Sequence, residues 1–322
     1  MKAVVADPLG GPESLKYTDQ PTPQPGAGEV LVKIEAIGVN FIDVYFRNGT
    51  YKAPETPVKL GSEGSGTVAA AGPGVDIPIG QRVAYAMARG SYAEYALVPR
   101  QFLVELPQNV SFEDAAAVML QGMTAHYLTR STFPLKSGQT CLVHAAAGGA
   151  GLLIVQLAKI ARATVIGTVS TEEKAQLARD HGADSMILYT QQDFVAEVKR
   201  LTGDRGVDVV YDSVGSTTFH KSLDCLRPRG MLVSFGQSSG VVGQIDPLVL
   251  SQKGSLFLTR PSLANYVSDP AELRQRASDL FTWLADGRLR LRIHKTYKLA
   301  DAAQAHRDLE GRKTTGKLLL KP

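Results

Sequence analysis

Apolar residues follow two rhythms along the chain. Up to about Gln121 they form short β-like runs, as at 30–37, 66–71 and 82–86, cut by proline and glycine clusters at 21–28 and 72–80. This pattern predicts a mainly β region. From about Gly122 to Pro261, short apolar runs alternate with helix-length segments. Strands are expected at 140–144, 164–168, 185–188, 207–211 and 231–235. Helices are expected between them at 150–161, 172–181, 192–202 and 217–226, with Gly182 as a cap. Such alternation predicts an α/β fold, a doubly wound parallel sheet covered on both faces. A further strand is expected at 255–259. Beyond Pro261 the pattern gives helices at 271–286 and 300–309 and a strand at 317–320.

The first strand of the alternating region runs into His144-Ala145-Ala146-Ala147-Gly148-Gly149-Ala150-Gly151. This has the form of a dinucleotide fingerprint with alanine in the first glycine slot: Ala146-x-Gly148-x-x-Gly151. Ala147, Gly148, Gly149, Ala150 and Gly151 would then present backbone N–H groups and a helix N-terminus to a pyrophosphate. The competing explanation is a small-residue contact between helix and strand. About 20 residues past the glycines, an NAD site places a carboxylate for the ribose 2′-OH. Val169 fills that slot, followed by Ser170, Thr171 and Lys174. Hydroxyls and a cation suit a 2′-phosphate, so NADPH is the expected cofactor. An ordinary helix start, with Thr171 as N-cap and Lys174 solvated, explains the same residues. Ligands gather at the carboxyl ends of parallel strands, which nominates Tyr189, Ser213, Gly215, Phe235, Gly236, Gln237 and Ser238. Glycines there also serve as plain turns.

Length and composition narrow the classes. A chain of 322 residues suggests two domains, and 44% hydrophobic with 20% charged residues excludes disorder, collagen and coiled coil. The net charge of +4 comes from 35 basic and 31 acidic residues with no block of like charge, so neither nucleic acid nor membrane is expected as a partner. Two cysteines, Cys141 and Cys225, are too few for a disulfide framework or a Cys-rich zinc site. With no signal-peptide pattern and no apolar run of about 18 residues, a reducing cytoplasm is the expected location.

The stretch from Gly138 to Gly151, continuing to Gln156 and Lys159, resembles the signature of quinone oxidoreductases related to zeta-crystallin, in the medium-chain dehydrogenase/reductase superfamily. Asn40-Phe41-Ile42-Asp43-Val44-Tyr45-Phe46-Arg47-Asn48-Gly49-Thr50-Tyr51, Leu60-Gly61-Ser62-Glu63-Gly64-Ser65-Gly66, Asp212-Ser213-Val214-Gly215 and Thr259-Arg260-Pro261-Ser262 carry the resemblance along nearly the whole chain. It implies a GroES-like, mainly β catalytic domain from 1–121 and 262–322 and a Rossmann NADPH-binding domain from 122–261. It also implies a homodimer joined near residues 255–259. Zinc enzymes of the superfamily put a Cys near residue 40 and a His beside the acidic residue of the next turn. Here Asn40 and Ser62 stand there and Glu63 is retained, so no metal is expected.

Without a Lewis acid the chemistry points to acceptors that are reduced easily, namely a small-molecule quinone, by hydride or single electrons. The resemblance places Tyr45 near the cofactor, Tyr51 near the acceptor, Thr124 near the nicotinamide or phosphates, and Thr259 with the cofactor residues. Asn40 or Asp43 orders a water as proton source, or both simply stabilise a turn. Arg260 reaches the site or forms a bridging salt bridge. Two rivals stand beside this assignment. One is an NADPH-dependent enone or enoyl-thioester double-bond reductase with Tyr51 as acid. The other is a crystallin-like structural or RNA-binding protein, against which the glycine turn speaks.

Overall fold

Strand Glu29–Val39 is the spine of one half of the molecule in the computed structural model, which describes residues 1–322. It pairs antiparallel with Glu63–Ala71 along one edge. Its other edge is shared, with Tyr95–Pro99 beside its start and Lys317–Lys321 beside its end. Arg82–Ala86 and Leu103–Glu105 extend the sheet on one side, and Ile293–Lys298 on the other. Alternation of the spine sends Val30, Val32 and Ile34 into a core with Val68, Val83, Tyr85, Val98, Leu318 and Leu320. Each such buried side chain contributes roughly 1.5–3 kcal/mol.

The chain divides into two compact units. The first comprises Met1–Met123, Tyr266–Gly287 and Leu291–Pro322, and the second Thr124–Asn265 with Arg288–Arg290. The short return to the second unit is held by Gln156, whose side chain accepts from Arg290 N (2.8 Å) and donates to Arg290 O (3.0 Å).

The mainly β expectation for the first region missed two helices. Phe41–Arg47 is rich in aromatic and β-branched residues, which locally favour strand; its start is fixed instead by capping contacts. Phe112–Tyr127 begins at Ser111, whose Oγ accepts from Asp114 N at 3.0 Å. Ala116 and Ala117 of this helix lie against Ala36 and Leu319, where small side chains let helix and sheet approach. The strands Lys2–Ala6, Leu15–Asp19 and Ile293–Lys298 were likewise unassigned.

The second unit is a six-stranded parallel sheet in the order Ser185–Leu188, Thr164–Val169, Thr140–His144, Val207–Asp212, Leu226–Ser234, Phe257–Thr259. Every residue of Val207–Asp212 is buried, as a central strand covered on both faces requires. Helices Gly149–Ile160, Glu172–Asp180 and Phe194–Thr202 fall close to the expected positions, and Gly182 has φ +106°. The helix expected at 217–226 shrinks to Phe219–Leu223. A turn around Asp212 occupies its start, and Leu226 already pairs with Val207. No helix of the chain is long and apolar enough to cross a membrane.

Candidate functional site

The second unit supplies a glycine turn at a helix N-terminus. After strand Thr140–His144 the backbone reverses at Ala145, with φ +52°. The positive φ therefore falls one residue before Ala146, the residue assigned to the first glycine slot. Gly148 N donates to Ala145 O (2.9 Å) and Gly148 becomes the N-cap of the next helix, offering no side-chain cap. A Cβ on Gly151 would collide with Ala145 O, so only glycine lets the helix seat against the turn. Uncapped N–H groups of the first turn and the helix dipole face the same point.

The adjacent strand ends at Val169, which is 2% exposed. Thr171 caps the next helix, its Oγ1 accepting from Lys174 N at 3.3 Å, and this leaves its O–H free to donate. Tyr189 is exposed, and its N–H donates to Val169 O. His144, a lone histidine in the sequence, is buried between Thr168 Oγ1 (2.8 Å) and Ser222 Oγ (3.0 Å). Burial holds its pKa below the usual histidine range.

Asp212 was overlooked as an organiser of the site. Its carboxylate accepts from Val214 N (2.7 Å), Gly215 N (3.1 Å) and Thr218 Oγ1 (2.8 Å), while its carbonyl accepts from Phe235 N (2.8 Å). The Asp-Ser-Val-Gly turn was its local signal. A Cβ on Gly236 would lie 2.6 Å from Ser213 O, and one on Gly215 2.9 Å from Gln237 Cα. The two glycines thus let the loops at the ends of neighbouring strands pack backbone to backbone, bringing Ser213, Gly215, Phe235, Gly236, Gln237 and Ser238 together. Thr259 pairs in register with Val233 in the next strand. Arg260 donates through Nη1 to Ser234 O at 3.0 Å. Thr124 is 9% exposed.

The first unit holds a buried polar network around the start of helix Phe41–Arg47. Asp43 accepts the Asn40 N–H at 2.9 Å, and Asp43 N donates to the Asn40 carbonyl at 3.1 Å. The Asn40 carboxamide is fully committed. Its Nδ2 donates to Glu63 Oε2 (2.8 Å) and Gly38 O (3.3 Å), and its Oδ1 accepts from Lys317 Nζ (2.8 Å) and Gln121 Nε2 (3.2 Å). Lys317 also donates to Glu63 Oε2, and the other Glu63 oxygen accepts from Leu120 N at 2.6 Å. Lys317 and Glu63 side chains are 3% and 0% exposed. Burial lowers the Lys317 pKa, and Glu63 opposes the shift. Gly38 is required here, since a Cβ would run into the Glu63 carboxylate.

Asp43 links this cluster to a second chain of bonds. Tyr92 OH donates to Asp43 Oδ2 (3.2 Å) and lies 3.0 Å from His306 Nε2; His306 Nδ1 meets Arg47 Nη1 at 2.9 Å. Arg47, 2% exposed, forms a bidentate pair with Glu310 at 2.8 and 2.9 Å. Burial pushes Asp43 up to about 7, and burial together with Arg47 pushes His306 down to about 3.

The water-ordering role expected of Asn40 and Asp43 falls on side chains whose polar atoms are engaged within the protein. All four hydrogen-bonding capacities of the Asn40 amide are used within the protein, and Asp43 is 0% exposed. The two bonds between Asn40 and Asp43 are those of a helix-start turn. Glu63, Tyr92, His306 and Lys317 were not found as partners, because their partners lie far away in sequence.

Helix Phe41–Arg47 presents a cluster of rings. Tyr45 and Tyr51 have centroids 5.1 Å apart, Phe46 and Tyr51 5.8 Å, and Phe41 and Tyr45 6.3 Å. Tyr51 N donates to Tyr45 O at 2.9 Å, which ties the loop to the helix. Both tyrosines are half-buried.

Residues 26–108 match the family model of the alcohol dehydrogenase GroES-like domain, and residues 181–320 match that of the zinc-binding dehydrogenase. A quinone oxidoreductase of Pseudomonas aeruginosa is 49% identical over 97% of both chains. A 2-haloacrylate reductase of a Burkholderia species is 43% identical over 99% of this chain and 98% of its own length. The crystal structure of Escherichia coli quinone oxidoreductase complexed with NADPH superposes with a TM-score of 0.98, at 43% identity and full coverage of both chains. With the glycine turn, the parallel sheet and the antiparallel sheet in place, the chain belongs to the quinone oxidoreductase family of the medium-chain dehydrogenase/reductase superfamily.

Proposed function

We propose that the chain is an NADPH-dependent quinone reductase that works without a metal. The observation that carries this is the uncapped start of helix Gly149–Ile160, seated on Ala145 through Gly151 at the carboxyl end of a parallel strand. That cradle fits a pyrophosphate. Ala147, Gly148, Gly149, Ala150 and Gly151 would hold it; Ser170, Thr171 and Lys174 would take the 2′-phosphate. Tyr45, Thr124, Tyr189, Ser213, Gly215, Phe235, Gly236, Gln237, Ser238 and Thr259 complete the proposed cofactor residues. NADPH supplies a hydride to the acceptor when bound.

The donor set around Asn40 does not fit zinc. Glu63 is already bound by an ammonium, an amide and a backbone N–H, and positions 40 and 62 offer an amide and a hydroxyl. A quinone needs no metal to polarise it, and orientation supplies much of the acceleration. Tyr45 and Tyr51 offer ring faces for a flat acceptor. Arg260 would lend a positive charge to the reduced oxygen. Asn40 and Asp43 act as positioning residues, holding the helix that carries the tyrosines. The 1–121 and 262–322 segments form the catalytic domain in this assignment, and 122–261 the cofactor domain. The two free, buried thiols, Cys141 and Cys225, suit a reducing cytoplasm.

Two copies are expected to join at strand Phe257–Thr259, the last strand of its sheet. Phe257 is 56% exposed there, and Val241 and Leu248 are 65% and 57% exposed. Sedimentation showing a monomer at micromolar concentration would refute that pairing.

NADPH oxidation with a benzoquinone, an alkenal and crotonyl-CoA tests the activity, with NADH as control. A quinone-dependent rate that prefers NADPH is expected. The relative named 2-haloacrylate reductase favours a second assignment, reduction of an activated double bond with Tyr51 as acid. Faster turnover of the alkenal or thioester would establish that assignment in place of the first.

A further inference from the structure

A cavity of about 560 Å³ opens in the first unit, between residues 55–59, the turn at 87–89 and strand Tyr95–Pro99. Sites for small molecules have volumes of about 300–1,000 Å³. Strand alternation builds the walls. Val58 and Leu60 lie in the core, so Lys59 between them points outward. Ala96 and Val98 are buried in the same way, and Leu97 between them lines the cavity. Met87 and Phe102 add apolar surface. Met87 holds φ +70°, which side chains other than glycine rarely adopt, with its N–H fixed on Ser62 O at 2.7 Å. A strained backbone kept on a cavity wall points to a wall that is used.

The charges on these walls do not balance. Lys59 and Arg89 are set against one carboxylate, Glu55. Lys59 makes no ion pair. Arg89 meets Glu55 unevenly. Its Nη2 donates to Oε2 at 3.2 Å, whereas Nη1 lies 3.0 Å from Oε1 off the line of its N–H and makes no hydrogen bond. Arg47 and Glu310 show the full fork, two bonds of 2.8 and 2.9 Å. The Arg89 guanidinium is nevertheless fixed, because its Cζ lies 5.2 Å from the centroid of the Phe46 ring. A fixed guanidinium with a loosely seated carboxylate is a place that another carboxylate can take.

We propose that this cavity binds a small organic anion with a flat apolar body. Lys59 and Arg89 share its carboxylate, and Leu97, Met87 and Phe102 receive its body. Glu55 is the built-in competitor, displaced from Arg89 when the anion enters. The site lies wholly within the first unit and does not depend on the cofactor assignment.

Calorimetric titration of the full chain with 2-naphthoate tests this, with 2-naphthamide as the neutral probe of the same shape. Wild type should bind the anion about tenfold more tightly than the amide. Lys59→Glu should weaken 2-naphthoate about tenfold and leave 2-naphthamide unchanged. Glu55→Gln should tighten 2-naphthoate about threefold, since the competitor is gone. Lys59 is exposed and Glu55 half-buried, so both variants should melt close to wild type. If Glu55→Gln melts early, Lys59→Glu decides alone. Equal affinity for the two probes, no binding at millimolar 2-naphthoate, or a Lys59→Glu chain within twofold of wild type would each overturn the proposal. So would weaker 2-naphthoate binding in a well-folded Glu55→Gln chain.

Discussion

Arg47 points Nη1 at Nδ1 of His306 across 2.9 Å. A guanidinium only donates, so Nδ1 is the acceptor and the imidazole proton sits on Nε2. That proton is donated to Tyr92 Oη, and the Tyr92 hydroxyl is turned onto Asp43. One arginine thus sets the direction of every bond in the chain as far as the start of helix Phe41–Arg47.

Acid should loosen the fold through His306. Burial and Arg47 hold its pKa near about 3, against 6.5 when free, so the folded state binds fewer protons than the unfolded state between these values. Its contribution is full above pH 6.5 and is lost as pH falls toward 3. Urea unfolding at pH 7, 5 and 4 should show a flatter acid limb in His306→Gln than in wild type, and equal slopes would refute the neutral tautomer.

Asp43 works with the opposite sign. Its pKa, raised from 3.8 to about 7, makes the folded state bind more protons than the unfolded state in that window. Stability from this group is present below pH 3.8 and declines as pH rises through about 7. Asp43→Asn mimics the protonated form, so its melting temperature should match wild type only near pH 3.8 and exceed it by a margin that grows up to about pH 7 and levels off above. A variant less stable than wild type above about pH 7 would show that the carboxylate is stabilised where it lies.

Lys317→Met strands the Glu63 charge in the interior. The expected loss is about 3–5 kcal/mol, most of it recovered when Glu63→Gln is added. Additive losses in a denaturant double-mutant cycle would mean the two residues are energetically independent.

Tyr51→Ala removes a half-buried ring that touches Tyr45 and Phe46. Quinone KM should rise about tenfold, the scale of one lost aromatic contact, with NADPH affinity almost intact. Unchanged quinone kinetics would remove Tyr51 from the acceptor site.

The parallel sheet and the glycine turn were legible because each is local: a short strand with an apolar centre, small residues at fixed spacing, then a helix. Helix Phe41–Arg47 was not, since Phe41, Ile42, Val44, Tyr45 and Phe46 have strand-like composition. Asn40 with an acid three residues on, at Asp43, was the overlooked start signal. Ser111 and Asp114 gave the same signal for Phe112–Tyr127. Lys317 shows a harder limit. It reads as one charge before a run of leucines, and Glu63, its partner, lies 254 residues away. Only the folded sheet brings them together, and nothing local announces that Asn40 will be held by both.

That same separation has a kinetic side. Strand Glu29–Val39 lacks its neighbour along Ile37–Val39 until Lys317–Lys321 arrives, and Glu63 lacks its counter-ion until then. The parallel sheet in between, drawn almost wholly from Thr124–Asn265, needs nothing from either side to pair its strands. Loop closure over so long a span is slow. During synthesis the middle of the chain can therefore mature first, while the earlier-made half waits with an open sheet edge and an unneutralised carboxylate.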